Sequence, residues 1–206
     1  MKKNKISKNW INKNKKDPFI KQSKIQGYRS RSAFKLIEIN NKFNFLKNNL
    51  SLLDLGACPG GWSQVASKKI IKGKILSVDI KPMVKIDTVE FINGDFCSEN
   101  INKKIFSYFK SKIDIVLSDM AINTTGNKSL DSYNTGELCL KAMDLALQIL
   151  SHNGVFLSKV FMGSIFEEIN KKAKSNFKKI VIYKPMASKK ESKEIYIYCK
   201  GILKVR

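Results

Sequence analysis

The apolar positions of this chain form short continuous runs that alternate with segments of helical period. The runs predict strands at Ser51–Leu55, Lys74–Asp79, Val89–Asn93, Ile113–Ser118, Val155–Val160, Ile180–Lys184 and Glu194–Cys199. The helical segments are predicted at Ser30–Phe45, Trp62–Ile71, Glu99–Phe109, Gly136–Leu150 and Ser164–Asn176. Because strands alternate with helices, we predict an α/β fold with a mainly parallel sheet covered on both faces. The short polar link before Glu194 predicts an antiparallel last strand.

Positive charge is concentrated at the two ends of the chain. The 206 residues carry a formal charge of +22, which favours a polyanionic partner such as nucleic acid. Residues 1–35 hold 12 basic and 1 acidic residue, 36–170 hold 15 and 14, and 171–206 hold 12 and 2. We therefore predict a basic, mobile extension over residues 1–24 and a single domain over 25–206. No apolar segment is long enough to predict a membrane span or a secretory signal.

Cysteine and histidine are too few and too scattered to predict a metal site. Cys58, Cys97, Cys139 and Cys199 form no Cys-x-x-Cys pair, which favours reduced thiols in the cytoplasm and no bound metal. The single histidine, His152, lies in a Ser-His-Asn-Gly segment of turn composition. Acid–base chemistry therefore has to come from lysines and carboxylates.

A glycine-rich turn after the first predicted strand indicates a ligand site. Gly56, Gly60 and Gly61 do not have the spacing of a dinucleotide fingerprint. Asp79 ends the second strand, where a carboxylate can bind both hydroxyls of a ribose, and Asp95 with Phe96 follows the third, where an adenine amino group could be held. The pattern favours S-adenosylmethionine over a nicotinamide cofactor. Pro59 and Trp62 have structural alternatives, namely turn rigidity and core packing.

Lys159 is an ionisable residue in a strand that is otherwise built for burial. A buried lysine is costly unless it is paired or used. Asp119 ends another apolar strand, so both residues should lie at the carboxyl edge of the sheet, where ligands bind. An antiparallel last strand would begin at that edge, and its first residue, Glu194, could then approach Lys159.

Several motifs together resemble the FtsJ/RrmJ family of ribosomal RNA 2′-O-methyltransferases. They are Gly27-Tyr-Arg-Ser-Arg-Ser-Ala-Phe-Lys35-Leu, Asp54-Leu-Gly-Ala-Cys-Pro-Gly-Gly-Trp62-Ser-Gln, Ser118-Asp-Met-Ala121, Lys159-Val-Phe and Glu194-Ile-Tyr-Ile. The resemblance implies a Rossmann-like class I methyltransferase with a seven-stranded sheet. It also implies a catalytic tetrad of Lys35, Asp119, Lys159 and Glu194. With the glycine-rich turn, the expected S-adenosylmethionine contacts are Gly56, Pro59, Gly60, Gly61, Trp62, Asp79, Asp95, Phe96 and Asp119.

The substrate that the resemblance implies is a uridine of large-subunit (23S) ribosomal RNA. RNA is expected to cross Arg29 and Arg31 together with the basic residues Lys189, Lys190 and Lys193, some of which replace arginines of the family. The loop Met120-Ala-Ile122-Asn123 also departs from the family's Met-Ala-Pro-Asn. We expect a cytoplasmic monomer, or an organellar one in a eukaryote, that acts on ribosomal RNA within the large subunit or its precursor, without a membrane.

The implied reaction is attack of a ribose 2′-hydroxyl on the methyl carbon of a sulfonium. Lys159 can accept the hydroxyl proton only if burial or the nearby Lys35 lowers its pKa, whereas Asp119 and Glu194 favour the ammonium. Three alternatives stay open. They are methylation of transfer RNA or cap RNA, a non-catalytic RNA-binding assembly factor, and a nicotinamide oxidoreductase.

Overall fold

The structure, a computed structural model, describes residues 17–122, 126–189 and 191–203. Six helices lie in these ranges: α1 (Pro18–Ile25), α2 (Ser32–Phe43), α3 (Gly61–Lys69), α4 (Glu99–Phe109), α5 (Lys128–Ile149) and α6 (Phe166–Asn176). Seven strands lie in the same ranges: β1 (Ser51–Leu55), β2 (Lys74–Asp79), β3 (Glu90–Asn93), β4 (Ile113–Ser118), β5 (Leu150–Phe161), β6 (Phe177–Tyr183) and β7 (Glu194–Ile202). Three of the predicted strands and one predicted helix have the observed bounds.

The described strands form one seven-stranded sheet in the order β3-β2-β1-β4-β5-β7-β6. Strands β1 to β5 pair in parallel, whereas β7 inserts antiparallel between β5 and β6. The predicted parallel sheet with an antiparallel last strand is thereby confirmed. The chain order reverses between β1 and β4, and in an open α/β sheet this reversal creates a crevice at the carboxyl ends of the strands.

Both faces of the sheet are buried, as predicted. Successive residues of β1, such as Leu52 and Leu53, point to opposite sides and belong to different apolar cores. Helices α2 and α3 cover one face through residues such as Leu36 and Trp62. Helices α4, α5 and α6 cover the other face, where Ile105 and Met143 are fully buried. The two layers hold the strand ends rigidly, which is a requirement for a precise site.

Helix α5 starts at Lys128, eight residues before the predicted start at Gly136. The Asn127 side chain caps it by accepting from the backbone N–H groups of Ser129 and Leu130. Gly136 lies inside the helix. A glycine is needed at this position because a Cβ there would come 2.1 Å from Cγ2 of Ile165, the residue before α6. The glycine therefore marks a close helix contact, and reading it as a helix start was wrong.

The chain around His152 is strand and not turn, because β5 begins at Leu150. The pairing of β5 with β4 shifts register between Ile113 and Ile115, because Ile113 pairs with Leu150 and Ile115 with Val155. This irregularity accommodates the additional residues of β5 before Val155. His152 is exposed and its Nε2 lies 2.9 Å from Nζ of Lys178.

Over the described ranges, no helix combines the length and the apolar character needed to cross a membrane.

Residues 17–24 differ from the mobile extension predicted for residues 1–24. Asp17 caps α1 by accepting from the N–H of Phe19, and Pro18 occupies the first helical position. The Phe19 ring packs 5.6 Å from the ring of Phe34 on α2. Helix α1 is held by contacts with residues distant in the chain, the Phe19–Phe34 ring contact and the Arg31–Asp17 bond, which the apolar period of residues 17–24 does not reveal. Residues 1–16 lie outside the described residues.

Candidate active site

Four ionisable residues from distant parts of the chain meet at the carboxyl edge of the sheet. Lys35 comes from α2, Asp119 directly follows β4, Lys159 lies near the end of β5, and Glu194 begins β7. The antiparallel register pairs Phe161 with Glu194, so the two strand ends lie side by side. The structure thereby brings together all four residues of the expected tetrad.

The tetrad is a compact network of two ammonium groups and two carboxylates. Nζ of Lys35 lies 2.6 Å from Oε1 of Glu194. Nζ of Lys159 lies 3.5 Å from Oδ1 of Asp119 and 3.5 Å from Oε2 of Glu194. All four side chains are at most 15% exposed. Because the charges balance, the network can be buried without an uncompensated ion.

The charge state of Lys159 differs from the sequence expectation. Burial lowers the pKa of its ammonium, but Asp119 and Glu194 together outweigh burial and hold the pKa above its ordinary value. For Glu194, burial raises the pKa, whereas Lys35 and Lys159 together lower it below its ordinary value. This arrangement therefore favours the ammonium form of Lys159 at neutral pH, and Lys159 needs a change in its surroundings to act as a base.

Tyr196 is a member of the site that the sequence reasoning missed. Its hydroxyl donates to Oδ1 of Asp119 at 2.7 Å, and its buried ring packs 5.6 Å from Trp62. Tyr196 lies two positions after Glu194, so the period of a strand could have placed both on one side of the sheet. Its hydroxyl holds the same carboxylate oxygen that faces Lys159.

A cavity of about 580 Å³ opens beside the tetrad. Five of the residues expected to contact a cofactor line it: Gly56, Asp79, Asp95, Phe96 and Asp119. Its size is within the range of small-molecule sites, roughly 300–1,000 Å³. Asp119 belongs both to this cavity and to the tetrad, so a ligand bound here would adjoin Lys159.

Backbone donors orient the Asp79 carboxylate in the cavity. Its Oδ2 accepts from the N–H of Cys58 and its Oδ1 from the N–H of Lys81, both at 2.8 Å. A fixed carboxylate with free lone pairs can accept hydrogen bonds from two ribose hydroxyls. Gly56, which lines the cavity, has a φ of +72°, and a Cβ there would lie 2.2 Å from Cγ of Met120, so a larger residue would be strained and would displace Met120.

The other predicted cofactor residues do not line this cavity in the described structure. Trp62 is 2% exposed, and its indole N–H donates to the carbonyl of Ser32 at 2.9 Å. A Cβ on Gly60 would lie 2.9 Å from Nη1 of Arg29, and one on Gly61 would lie 2.2 Å from Oγ of Ser30. These residues, with Pro59, pack the segment before α2 against the turn.

The two arginines expected at the RNA surface make bonds within the protein. Arg29 donates to the carbonyls of Pro59, Val84 and Lys85 at 3.3, 2.5 and 2.7 Å. Arg31 donates to Asp17 and to the carbonyl of Ala187. Both guanidinium groups thus fasten loops around the site. Lys189 and Lys193 are exposed, whereas Lys190 lies outside the described residues, as does Asn123 of the loop after β4.

A buried carboxyl group lies behind the cavity, at the end of β1. Asp54 is 1% exposed, and its Oδ2 accepts from Oγ of Ser63 at 2.6 Å, while its Oδ1 is among the buried side-chain atoms without a hydrogen-bond partner. Burial raises the pKa of Asp54 to about 7, against the effect of the Ser63 hydrogen bond. The carboxyl group therefore changes its charge in the physiological range.

Asp54→Asn is expected to change the pH dependence of stability. The folded protein keeps this proton to a higher pH than the unfolded chain, so the Asp54 contribution destabilises the fold increasingly as pH rises from about 4 to about 7. The difference in free energy of unfolding between the variant and the natural protein should therefore change by about 2–3 kcal/mol in favour of the variant from pH 5 to pH 8. Urea unfolding at several pH values measures this. Asp87→Asn, at an exposed site, is the control, and parallel curves for Asp54→Asn would contradict the prediction.

Comparisons with known proteins agree on one family. Residues 28–202 match the family described as FtsJ-like methyltransferase. Ribosomal RNA large subunit methyltransferase E of Pelagibacter ubique is 50% identical over 200 residues, which cover 97% of this chain and 98% of that protein. A solved ribosomal RNA methyltransferase from Plasmodium falciparum is 36% identical with a TM-score of 0.77, covering 85% of this chain and 99% of that one.

A more distant structure shares the fold. Human methyltransferase-like protein 13, solved in complex with SAH, is 15% identical with a TM-score of 0.55 and covers 81% of this chain and 78% of that one. At this identity the likeness concerns the sheet and its helices only. The fold class expected from the sequence, a class I methyltransferase, is confirmed.

Proposed function

Because this chain belongs to the FtsJ-like methyltransferase family, we propose that it methylates the 2′-hydroxyl of a uridine ribose in large-subunit (23S) ribosomal RNA. One observation carries the proposal. Asp119 lines a cavity of cofactor size, and its Oδ1 also lies 3.5 Å from the ammonium of Lys159, whose side chain is 11% exposed. A methyl donor and a proton acceptor would therefore be adjacent. The names of the relatives, which are ribosomal RNA methyltransferases, support the substrate class.

S-adenosylmethionine is the cofactor, in agreement with the family. The chemistry of the cavity fits it, because Asp79 offers its carboxylate for the ribose and Asp95 with Phe96 offers an acceptor beside an aromatic wall for the adenine. Asp119 provides a negative charge at the end that faces the tetrad. When bound, the cofactor supplies an electrophilic methyl carbon on a sulfonium.

Within the tetrad, Lys159 is proposed to take the proton of the attacking hydroxyl. Lys159 loses its own proton more readily once the positive charge of a bound sulfonium compensates the negative charge of Asp119 and once bound RNA excludes water. Both changes disfavour the ammonium. Asp119 and Glu194 orient the Lys159 side chain from two sides. Lys35, held by Glu194, keeps a positive charge close to Lys159. Alignment of the two reactants adds to the acceleration.

The proposed partner is ribosomal RNA, within the large subunit or its precursor, and the protein is proposed to act as a cytoplasmic monomer. The net charge of +22 supports an RNA partner. Exposed Lys189 and Lys193 lie in the connection between β6 and β7 that leads into Glu194. Arg29 and Arg31 are better explained as residues that hold loops in place, because their guanidinium groups bond to backbone carbonyls and Asp17.

The test is to map 2′-O-methyl groups after incubation of the purified protein with S-adenosylmethionine and RNA. Unmodified 23S RNA, large subunits, transfer RNA and capped RNA are compared side by side. A single new 2′-O-methyluridine in 23S RNA or in the subunit supports the proposal. Methylation of transfer RNA or capped RNA alone would contradict the substrate. Tight RNA binding without methylation would instead indicate an assembly factor.

The seven lysines of residues 1–16 are expected to contribute to RNA affinity. Asp17, where the described structure starts, bonds to Arg31, which also bonds to the loop beside the tetrad. Replacing these lysines with glutamine should weaken RNA binding and flatten its salt dependence, by about 0.7–0.9 in log–log slope for each lost phosphate contact. Filter binding at several salt concentrations measures the slope. Lys104→Gln, on the exposed side of α4, is the control, and an unchanged slope would contradict this role.

A further inference from the structure

Residues on one face of α2 form hydrogen bonds with the connection between β6 and β7, residues 184–193. Arg31 immediately precedes α2 with helical backbone angles, and Lys35 and Glu38 follow it by four and then three residues, so the three lie on the same side of the helix axis. Lys35 contacts Glu194 at the start of β7. Its two neighbours on this face, Arg31 and Glu38, contact the connection itself. The helix therefore touches both the tetrad and the chain that leads into it.

Glu38 and Arg31 hold the peptide groups around Ala187. Oε1 of Glu38 accepts from the Tyr183 hydroxyl at 2.7 Å and from the N–H of Met186 at 2.8 Å, and its Oε2 accepts from the N–H of Ala187 at 3.1 Å. Arg31 donates to the carbonyl of Ala187. The connection has no helix or strand of its own, so these bonds help to fix where Ser188 lies.

Ser188 transmits this fixed position to the tetrad. It is 5% exposed, and its hydroxyl donates to Oε1 of Glu194 at 2.7 Å. The same oxygen lies 2.6 Å from Nζ of Lys35, whereas Oε2 of Glu194 lies 3.5 Å from Nζ of Lys159. With two donors on one oxygen, the carboxylate cannot rotate freely, and its second oxygen stays directed at Lys159.

We propose that Ser188 and Glu38 are positioning residues, which act on the reaction by fixing the Glu194 carboxylate toward Lys159. The inference rests on the proposed function. Neither residue lines the cavity beside Asp79 and Asp95 in the described structure. Their loss should therefore affect methyl transfer and leave cofactor binding intact.

Ser188→Ala is expected to lower the single-turnover rate about tenfold, the effect of losing one hydrogen bond to a charged group. The affinity for S-adenosylmethionine should not change. The hydroxyl helps to keep Glu194 ionised, so the further fall in rate that protonation of Glu194 causes in acid, below the pH range in which Lys159 titrates, should begin at a higher pH in the variant. Ser188→Thr keeps a hydroxyl and should restore most of the rate. Ser175→Ala, at an exposed serine of α6, is the matched control.

Glu38→Gln provides an independent variant, because the amide cannot accept from the N–H of Ala187 with its nitrogen. It should lower the rate in the same direction. If both residues act through Glu194, the double variant should lose less than the product of the two single losses. Multiplicative losses would show that Glu38 acts elsewhere and would overturn its part of the inference.

The outcome is separable from that of the proposed function. If the natural protein methylates RNA and Ser188→Ala keeps its rate and pH profile, the inference is wrong and the function stands. If the natural protein methylates no RNA, the Glu194 carboxyl is titrated by carbon NMR in both proteins. A higher pKa in Ser188→Ala then supports the positioning role, and an equal pKa overturns it.

Discussion

Lys159→Ala is expected to lower the single-turnover rate of RNA methylation about 1,000-fold, within the range for loss of a general base. The affinity for S-adenosylmethionine, measured by calorimetry, should stay nearly unchanged, because Lys159 does not line the cavity in the described structure. Asp119 and Glu194 would lose their shared counter-ion. Lys159→Met, which keeps the apolar stem, is therefore measured alongside, with thermal unfolding of each variant.

Lys179→Ala, at an exposed lysine of β6, is the control for this substitution and should keep the natural rate. A folded Lys159→Met variant with near-normal turnover would remove Lys159 from the mechanism. A matching loss of cofactor affinity would show instead that the lysine supports the cavity.

The pH dependence of the natural protein separates two roles for Lys159. Burial lowers the pKa of the Lys159 ammonium, yet Asp119 and Glu194 hold it above its ordinary value. A base with a raised pKa is mostly protonated at neutral pH, so the rate should rise about tenfold per unit between pH 7 and pH 9. A flat profile over this range would mean that Lys159 orients the hydroxyl as a cation.

Asp79→Ala is expected to weaken cofactor binding about 100-fold, because two ribose hydroxyls lose a charged acceptor. Its carboxylate is already oriented by the N–H groups of Cys58 and Lys81, so little entropy is lost on binding. At saturating cofactor the rate of methyl transfer should recover, since the carboxylates that contact the Lys159 ammonium are those of Asp119 and Glu194, and Asp79 is not among them. Calorimetry and single-turnover rates at increasing cofactor concentration measure both effects.

Asp87→Ala removes an exposed carboxylate from the connection that follows Asp79, between β2 and β3. It controls for the change in net charge. Its cofactor affinity should equal that of the natural protein. If Asp79→Ala also binds normally, the ribose lies elsewhere in the cavity, and the assignment of Asp79 is wrong.

The candidate site was partly predictable because strand ends can be recognised from sequence. Asp79 and Asp119 follow buried strands, and the carboxyl ends of parallel strands share one edge. The role of Trp62 was ambiguous from sequence, since an aromatic residue after a glycine-rich turn can either pack in the core or contact a ligand. The structure gives its indole N–H to the carbonyl of Ser32. Only the position of α2, whose first residue is Ser32, distinguishes the two.

The arginines show a second limit of sequence reasoning. Arg29 and Arg31 lie in a basic segment, and charge alone predicts an RNA surface. Their guanidinium groups bond to carbonyls that are 30 to 156 residues away in the chain. Backbone acceptors leave no trace in residue identity, so this use of an arginine is visible only in three dimensions.

The sequence by itself determined the α/β alternation, the antiparallel last strand and the identity of the charged residues at the strand ends, because hydrophobic period and strand polarity are local properties. Tertiary structure alone decided that Glu194 is shared by Lys35, Lys159 and Ser188, and that Asp119 and Glu194 together hold the pKa of Lys159 above its ordinary value. Both depend on distances across the sheet. Those distances follow from the insertion of β7 between β5 and β6, because it places the first residue of one strand beside the end of another.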